Sequence, residues 1–387
     1  MALKSKASSR YQTLVIGGGI CGLMIAHRLS HLGESVALVE ELDQLGGEDR
    51  PHLSTFGLID HGLKVLPATS DGERALEFLK TALPQLTWQT EDVPPLTFDS
   101  GQFKPFVGFG AKVLEAHEVV TSYAHARRLL PSVPVHEWVE LLQRDFRGDV
   151  YLKSFVTLID QDNDVVSGVH INGKEQLLAD RIIFCGQPKD LLKYAIASNL
   201  PARLRQRIGK AELWTSIGLE LFHSQPVTDR KSVHVLWSPS DDGSPCVGSF
   251  QTPKSNQDIT YQHSQWVTFV PFDATDDSEL TGAAIRKIKK QVKRAFPDAF
   301  EKLHGEIIFV GPGSHGLVEL KADEGLPLAP FDNLYLASSH VVGENPLVGA
   351  LLQAEALLQR WPQPEEVENR PSPTLATIDG DDARLTQ

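Results

Sequence analysis

Four glycines and one carboxylate at fixed spacing carry the first chemistry in this chain: Gly17, Gly18, Gly19 and Gly22, followed by Glu40. Gly17 permits a tight turn, Gly19 lets backbone approach a pyrophosphate with no side chain in the way, and Gly22 lets a helix pack close to a strand. The helix that begins at Ile20 and Cys21 would present free N–H groups and a positive dipole end to phosphate oxygens. Glu40 stands at about the spacing at which a carboxylate meets a ribose diol, and Glu41 follows it. Its charge disfavours a second phosphate on that ribose. The pattern predicts a dinucleotide site.

The neighbouring residues have the periods needed to hold these groups. Leu14, Val15 and Ile16 form a short apolar run of the kind that fills a buried parallel strand. Leu23, Ala26 and Leu29 turn one side of the helix to the sheet, Gly33 ends it, and Val36 to Val39 make a second strand. A glycine turn alone is a weak signal, but here strand, turn, helix, strand and terminal acid agree.

The next segment distinguishes between dinucleotides. Gly46-Gly47 and Asp60-His61-Gly62 resemble the FAD-binding superfamily that includes flavin amine oxidases, protoporphyrinogen oxidase, phytoene desaturases and the Rab GDP-dissociation inhibitors. There the acid-ended strand runs into a Leu-Gly-Gly-Arg turn and then an Asp-x-Gly segment that passes the flavin. The resemblance resumes at residues 155–188 and 333–361 and is poor in the middle. It implies an α/β fold with a Rossmann-like, glutathione-reductase-type FAD-binding lobe made of residues 1–95, 147–195 and 305–361. A second lobe, residues 96–146 and 196–304, would be built on a mixed or antiparallel sheet plus helices. The resemblance further implies that backbone at Val156 meets the adenine. A last helix, starting at Asn345-Pro346, would aim N–H groups near Val348 and Gly349 at the flavin. Lys64, on the segment that skirts the flavin, is the implied catalytic candidate; the competing reading is an exposed surface lysine.

Two positions depart from the pattern. Glu48 replaces the arginine of Leu-Gly-Gly-Arg, with Arg50 as a possible substitute, and Ser338 and Ser339 stand where the superfamily has an acid near the ribityl or phosphate region. A serine still hydrogen-bonds a hydroxyl or phosphate oxygen, more weakly than a charged group. The implied function is an FAD-dependent oxidoreductase taking a hydride from a C–N or C–C bond of a small organic molecule, with noncovalent flavin. The alternatives are a flavin-dependent isomerase or mutase, and a non-catalytic binding protein of the GDP-dissociation-inhibitor kind, which the two departures motivate.

The rest of the sequence narrows the class. A net charge of −13 argues against nucleic acid or anionic membrane as the main partner. No run approaches the roughly 18 apolar residues of a membrane span, and Met1 to Arg10 lack a signal peptide's apolar core. Cys21, Cys185 and Cys246 are far apart without zinc spacing, which fits a reducing cytoplasm. Residues 71–83 read as a helix, 96–109 as a hairpin turning at Asp99-Ser100-Gly101, 217–272 as a run of strands, and 280–296 as a helix with a basic, solvated outer face. Residues 362–387, acidic and Pro-rich, are expected to be disordered. His27 and His31 have the four-residue spacing of zinc-binding histidines, but no third ligand is evident, so an outer helix face without metal is expected. Asp60 and His61, neighbours on an extended segment, are not expected to touch. Trp214, Trp237, Trp266 and Phe269 either wall an apolar pocket or pack in a core.

Overall fold

The computed structural model describes residues 9–361, apart from 55–56, 61, 111–113, 239–243, 257–258, 312, 314, 321–324 and 342–344. His61 and the tail 362–387 thus lie outside the described residues. Six strands frame the site: β1 (Ser9–Ile16), β2 (Val36–Val39), β3 (Glu175–Phe184), β4 (Leu213–His223), β5 (Ile259–Pro271) and β6 (Leu303–Val310). Five helices matter for it: α1 (Ile20–His31), α2 (Ser70–Lys80), α3 (Val135–Asp145), α4 (Ser278–Ala295) and α5 (Pro346–Gln359).

The apolar run at residues 14–16 forms the buried end of β1, which pairs in parallel with β2 on one side and β3 on the other. The seven-stranded sheet runs Asp149–Tyr151, β2, β1, β3, Val165–Ile171, Val156–Asp162. The C-terminal end of β3 also takes Leu334–Leu336 as a parallel partner, from Ile182 opposite Leu334 to Phe184 opposite Leu336. β3 thus stands between this late strand and β1. One face of the sheet is covered by α1 and α5, with α2 against α5 and α3 against α1. Leu23, Met24, Trp138, Val348 and Leu351 fill the core beneath them.

The second sheet has nine strands, and its spine is the antiparallel pair β4–β5, from Trp214 opposite Pro271 to His223 opposite Gln262. The expected hairpin joins its far edge, with Ser100 at φ 50° and Gly101 at φ 80° giving the left-handed pair that a two-residue turn needs. α4 lays Ile288 and Val292 on this sheet against Trp266 and Phe296. Trp266 and Phe269 are core residues, and Trp214 and Trp237 pack at the core's margin. No helix among the described residues is long and apolar enough to cross a membrane.

Two stretches fall on the other side of the expected lobe division. β6 pairs with β4 and belongs to the second sheet, although residues from 305 on were assigned to the cofactor lobe. α3 packs on α1 with Trp138 buried between them, although residues 96–146 were assigned to the second lobe. Periodicity shows that a strand or helix exists; it does not show which sheet accepts it.

Candidate active site

A cleft of about 490 Å³ opens where the carboxyl ends of β1 and β3 meet the segments 46–49, 63–65, 338–340 and 345–347. Its floor is the glycine turn. Gly17 has φ +102°, and a Cβ there would lie 3.1 Å from the backbone of Cys185 and Gly186. A Cβ on Gly22 would lie 2.0 Å from the carbonyl oxygen of Gly17, so helix and turn touch only because Gly22 has no side chain. At Gly19 the same Cβ would meet nothing within 4 Å, and that residue faces the open cleft. No side chain caps α1, and the first ladder bond runs from Leu23 N–H to the Gly19 carbonyl at 2.9 Å. The N–H groups of Ile20, Cys21 and Gly22 thus precede the ladder, which makes a donor set for anionic oxygens.

Glu40 ends β2 as a buried carboxylate that accepts from Gly18 N–H at 2.7 Å and Leu42 N–H at 2.9 Å. These bonds hold the turn and leave lone pairs facing the cleft, which Glu40 and Glu41 both line. Burial, and then Glu40 and Asp190, push the Glu41 carboxyl upward. Gly46 and Gly47 turn with positive φ against the glycine turn, with Gly46 N–H donating to Gly18 O at 2.8 Å. Val156, Ser338 and Ser339 also line the cleft. This matches what an FAD requires: free N–H groups for a pyrophosphate, a carboxylate for a ribose, and glycines where a Cβ would intrude.

Three expected site residues are placed elsewhere. Arg50 donates to Gly47 O at 3.0 Å and braces the 46–49 turn without lining the cleft, so it does not replace the missing arginine. Gly349 N–H is already bonded to Asn345 O at 2.8 Å inside α5, and Val348 is buried in the core. The helix starts at Pro346, so its cleft side carries Asn345, Pro346, Leu347 and Ala350. Gly349 serves a different purpose: a Cβ there would lie 3.0 Å from Ser339 O, so its absence lets α5 approach that turn.

The Lys64 side chain is only 15% exposed, which removes the surface-lysine reading. Its Nζ lies 2.8 Å from Asp49 Oδ1 and donates to Glu48 O at 2.9 Å. Burial pulls its pKa down, but Asp49, Glu48 and Asp60 outweigh that and hold it above the ordinary lysine value. It is therefore a fixed cation at neutral pH and not a free base. Both lobes clamp the segment that carries it. Asp60 accepts from His136 N–H at 2.7 Å and faces His136 Nδ1 at 2.9 Å, while Gly62 N–H donates to Glu220 Oε1 at 3.0 Å and Gln265 Nε2 donates to Gly62 O at 2.9 Å.

The structure adds residues that no spacing reveals. Tyr123 lines the cleft beside Leu63, Lys64 and Val65, with its hydroxyl 2.7 Å from His315 Nε2. Burial, and then Glu48 and Asp49, drive the Tyr123 pKa far up, while burial lowers that of His315, so the pair is neutral. Glu48 Oε1 accepts from Ser216 of the second sheet at 3.0 Å. His340, buried at the cleft wall, faces Gly313 O through Nε2 at 2.9 Å and Ser338 Oγ through Nδ1 at 2.7 Å. The carbonyl fixes the proton on Nε2, so Nδ1 accepts from the serine hydroxyl.

Burial lowers His340 from 6.5 to about 4. Because the folded value lies below the unfolded one, its contribution is present above pH 6.5 and is lost as pH falls towards 4. We expect thermal unfolding monitored by circular dichroism to show a fall in Tm across that window, worth on the order of 3 kcal/mol for this group. His340→Gln should flatten part of the fall; an unchanged profile would remove His340 as its source.

The family model described as FAD dependent oxidoreductase matches residues 12–360. Among solved structures, the fold is similar to an oxidoreductase from Methanosarcina mazei, with a TM-score of 0.65 and 14% identity over 90% of this chain and 100% of that one. It is also similar to cyclohexylamine oxidase from Brevibacterium oxydans IH-35A, with a TM-score of 0.63 and 15% identity over 92% of this chain and 99% of that one. A shorter match is 32% identical over 73 residues to UDP-galactopyranose mutase from Mycoplasma pneumoniae, spanning 19% of this chain and 18% of the mutase.

Proposed function

The chain belongs to the family of FAD-dependent oxidoreductases, and from that premise we propose that it oxidises a small amine, with hydride leaving the carbon bonded to nitrogen. Bound FAD supplies the hydride acceptor. The N–H groups of Ile20, Cys21 and Gly22 bind its pyrophosphate, Gly19 leaves the space open, and Glu40 takes a ribose hydroxyl. Backbone at Val156 receives the adenine, Ser338 and Ser339 bond the central hydroxyls or phosphate, and the Asn345–Leu347 end of α5 faces the far edge. The three free cysteines accord with a reducing cytoplasm.

The single observation that carries an amine, as against an acid, is the charge on the wall around Tyr123. Glu48 and Asp49 both line the cleft there against one ammonium, Lys64, which pairs with Asp49 at 2.8 Å, so the wall holds one carboxyl more than it holds cations. A negative potential in a partly enclosed site draws a cation in and repels a carboxylate. Leu63, Val65 and Phe272 keep the same end apolar and exclude water. Lys64, held cationic, orients a water or an electron-rich atom near the reacting carbon; the proton of the amine departs to solvent or to that water. The likeness of fold to cyclohexylamine oxidase accords with this substrate class.

The purified protein is expected to be yellow, to release its flavin into the supernatant on denaturation, and to bleach anaerobically with amines but not with hydroxy acids. Bleaching by carboxylates alone would overturn the amine reading. A colourless protein that refuses added FAD would leave a binding protein on this fold. A flavin-dependent mutase is the second reading, supported only by a 73-residue similarity spanning 18% of a mutase, and consumption of substrate with no acceptor present would identify it.

A further inference from the structure

We propose that His27 and His31 of α1 and Asp145 of α3 form a binding site for one divalent ion of the zinc class, separate from the cleft. His27 is 2% exposed and packs towards α3, not on an outer helix face as the sequence suggested. The third ligand that the sequence does not reveal is Asp145, more than a hundred residues on, brought there by the packing of α3 on α1. Its Oδ2 lies 3.3 Å from His27 Nε2 and 3.2 Å from His31 Nε2. All three ligand atoms lie within 4.8 Å of one another, and the two imidazole rings stand 4.3 Å apart at 24°.

Those lengths are informative. Zinc takes nitrogen and carboxylate oxygen at about 2.0–2.2 Å in a tetrahedron, which separates neighbouring ligand atoms by about 3.3 Å. Two of the three edges already have that length before any ion enters. Two imidazoles with one carboxylate suit zinc, copper or nickel, whereas magnesium and calcium call for oxygen ligands. The fourth position is open to water, because Asp145 is 59% exposed and His31 22% exposed.

One feature limits affinity. His27 Nδ1 is buried with no hydrogen-bond partner, so no acceptor fixes the tautomer that ligation through Nε2 requires. In the metal-free chain His31 Nε2 also faces the Asp145 carbonyl at 3.0 Å; its proton must leave before an ion binds. Along α1 the two histidines lie about 10 and 16 Å from Ile20 at the glycine turn. The ion therefore takes no part in the chemistry and pins the far end of the cofactor helix to α3.

The test uses the flavin-loaded full chain, stripped with a chelator and dialysed against zinc or cobalt. Metal analysis is expected to find one ion per chain. Cobalt should give the intense visible bands of a four-coordinate site, and Tm should rise with zinc concentration. His31→Ala and Asp145→Ala, both at partly exposed positions, should each weaken binding at least tenfold while flavin absorbance stays unchanged. Substoichiometric uptake by the wild type, or equal uptake by wild type and both variants, would overturn the site.

Discussion

Lys64→Met is expected to destabilise the chain by about 3–5 kcal/mol and to slow flavin reduction by substrate about a hundredfold. The stability effect follows from what the substitution leaves behind. Asp49 is buried, and Lys64 is its ion-pair partner at 2.8 Å; methionine fills the space and supplies no charge. Burial already raises the Asp49 pKa against the opposing pull of Lys64, so without the lysine the carboxyl takes up a proton or draws in water. The companion variant Lys64→Met/Asp49→Leu removes both charges together, and most of the stability should return because a buried ion pair rarely outperforms an apolar pair of similar volume. Activity should not return. Urea unfolding midpoints and anaerobic stopped-flow reduction, measured on the same three proteins, separate the two effects. A double variant that recovered both would show Lys64 to be structural alone.

Short-range signals reached residues that meet across one strand–turn–helix–strand unit: Gly22 lies against the Gly17 carbonyl and Glu40 accepts from Gly18 N–H, although what closes the Cβ position of Gly17 is the distant backbone of Cys185 and Gly186. Asn345-Pro346 begins α5 as its composition predicts, with the asparagine side chain accepting from Leu347 N–H at 3.2 Å. The failures share one cause. Lys64 could be read as exposed because its partner, Asp49, reaches it through a turn whose path is set by Gly46 and Gly47. His27 could be read as outward because the helix that covers it, α3, lies more than a hundred residues on, and helical periodicity does not say which element a helix packs against. Tyr123 and His315 are 192 positions apart, and neither sits in a motif; only the meeting of the two lobes brings them together. Arg50 failed for a geometric reason, since the 3₁₀ turn at Gly47–Asp49 directs it back onto Gly47 O.

The two glycines at the mouth of α1 should respond oppositely to the same small substitution, and the contrast isolates cofactor binding from folding. Gly19→Ala is expected to leave the flavin-free chain as stable as the wild type, because Gly19 has φ −64° and its added methyl meets no protein atom within 4 Å. Alanine is at ease with that backbone and restricts the unfolded chain slightly more than glycine. The methyl does occupy the space through which a pyrophosphate must reach the N–H groups of α1. Crowding of that kind costs about 1–3 kcal/mol, a roughly tenfold to hundredfold loss of FAD affinity. Gly22→Ala should fail differently. Its methyl would sit 2.0 Å from the Gly17 carbonyl oxygen and 3.2 Å from the Cys185 Cβ, so turn, helix and β3 must part, and both Tm and flavin content should fall. Fluorescence titration of each apoprotein with FAD, alongside its thermal unfolding, reads the two quantities independently. If Gly19→Ala binds FAD as the wild type does, the phosphates do not lie over that turn, and the helix N-terminus loses its assigned role.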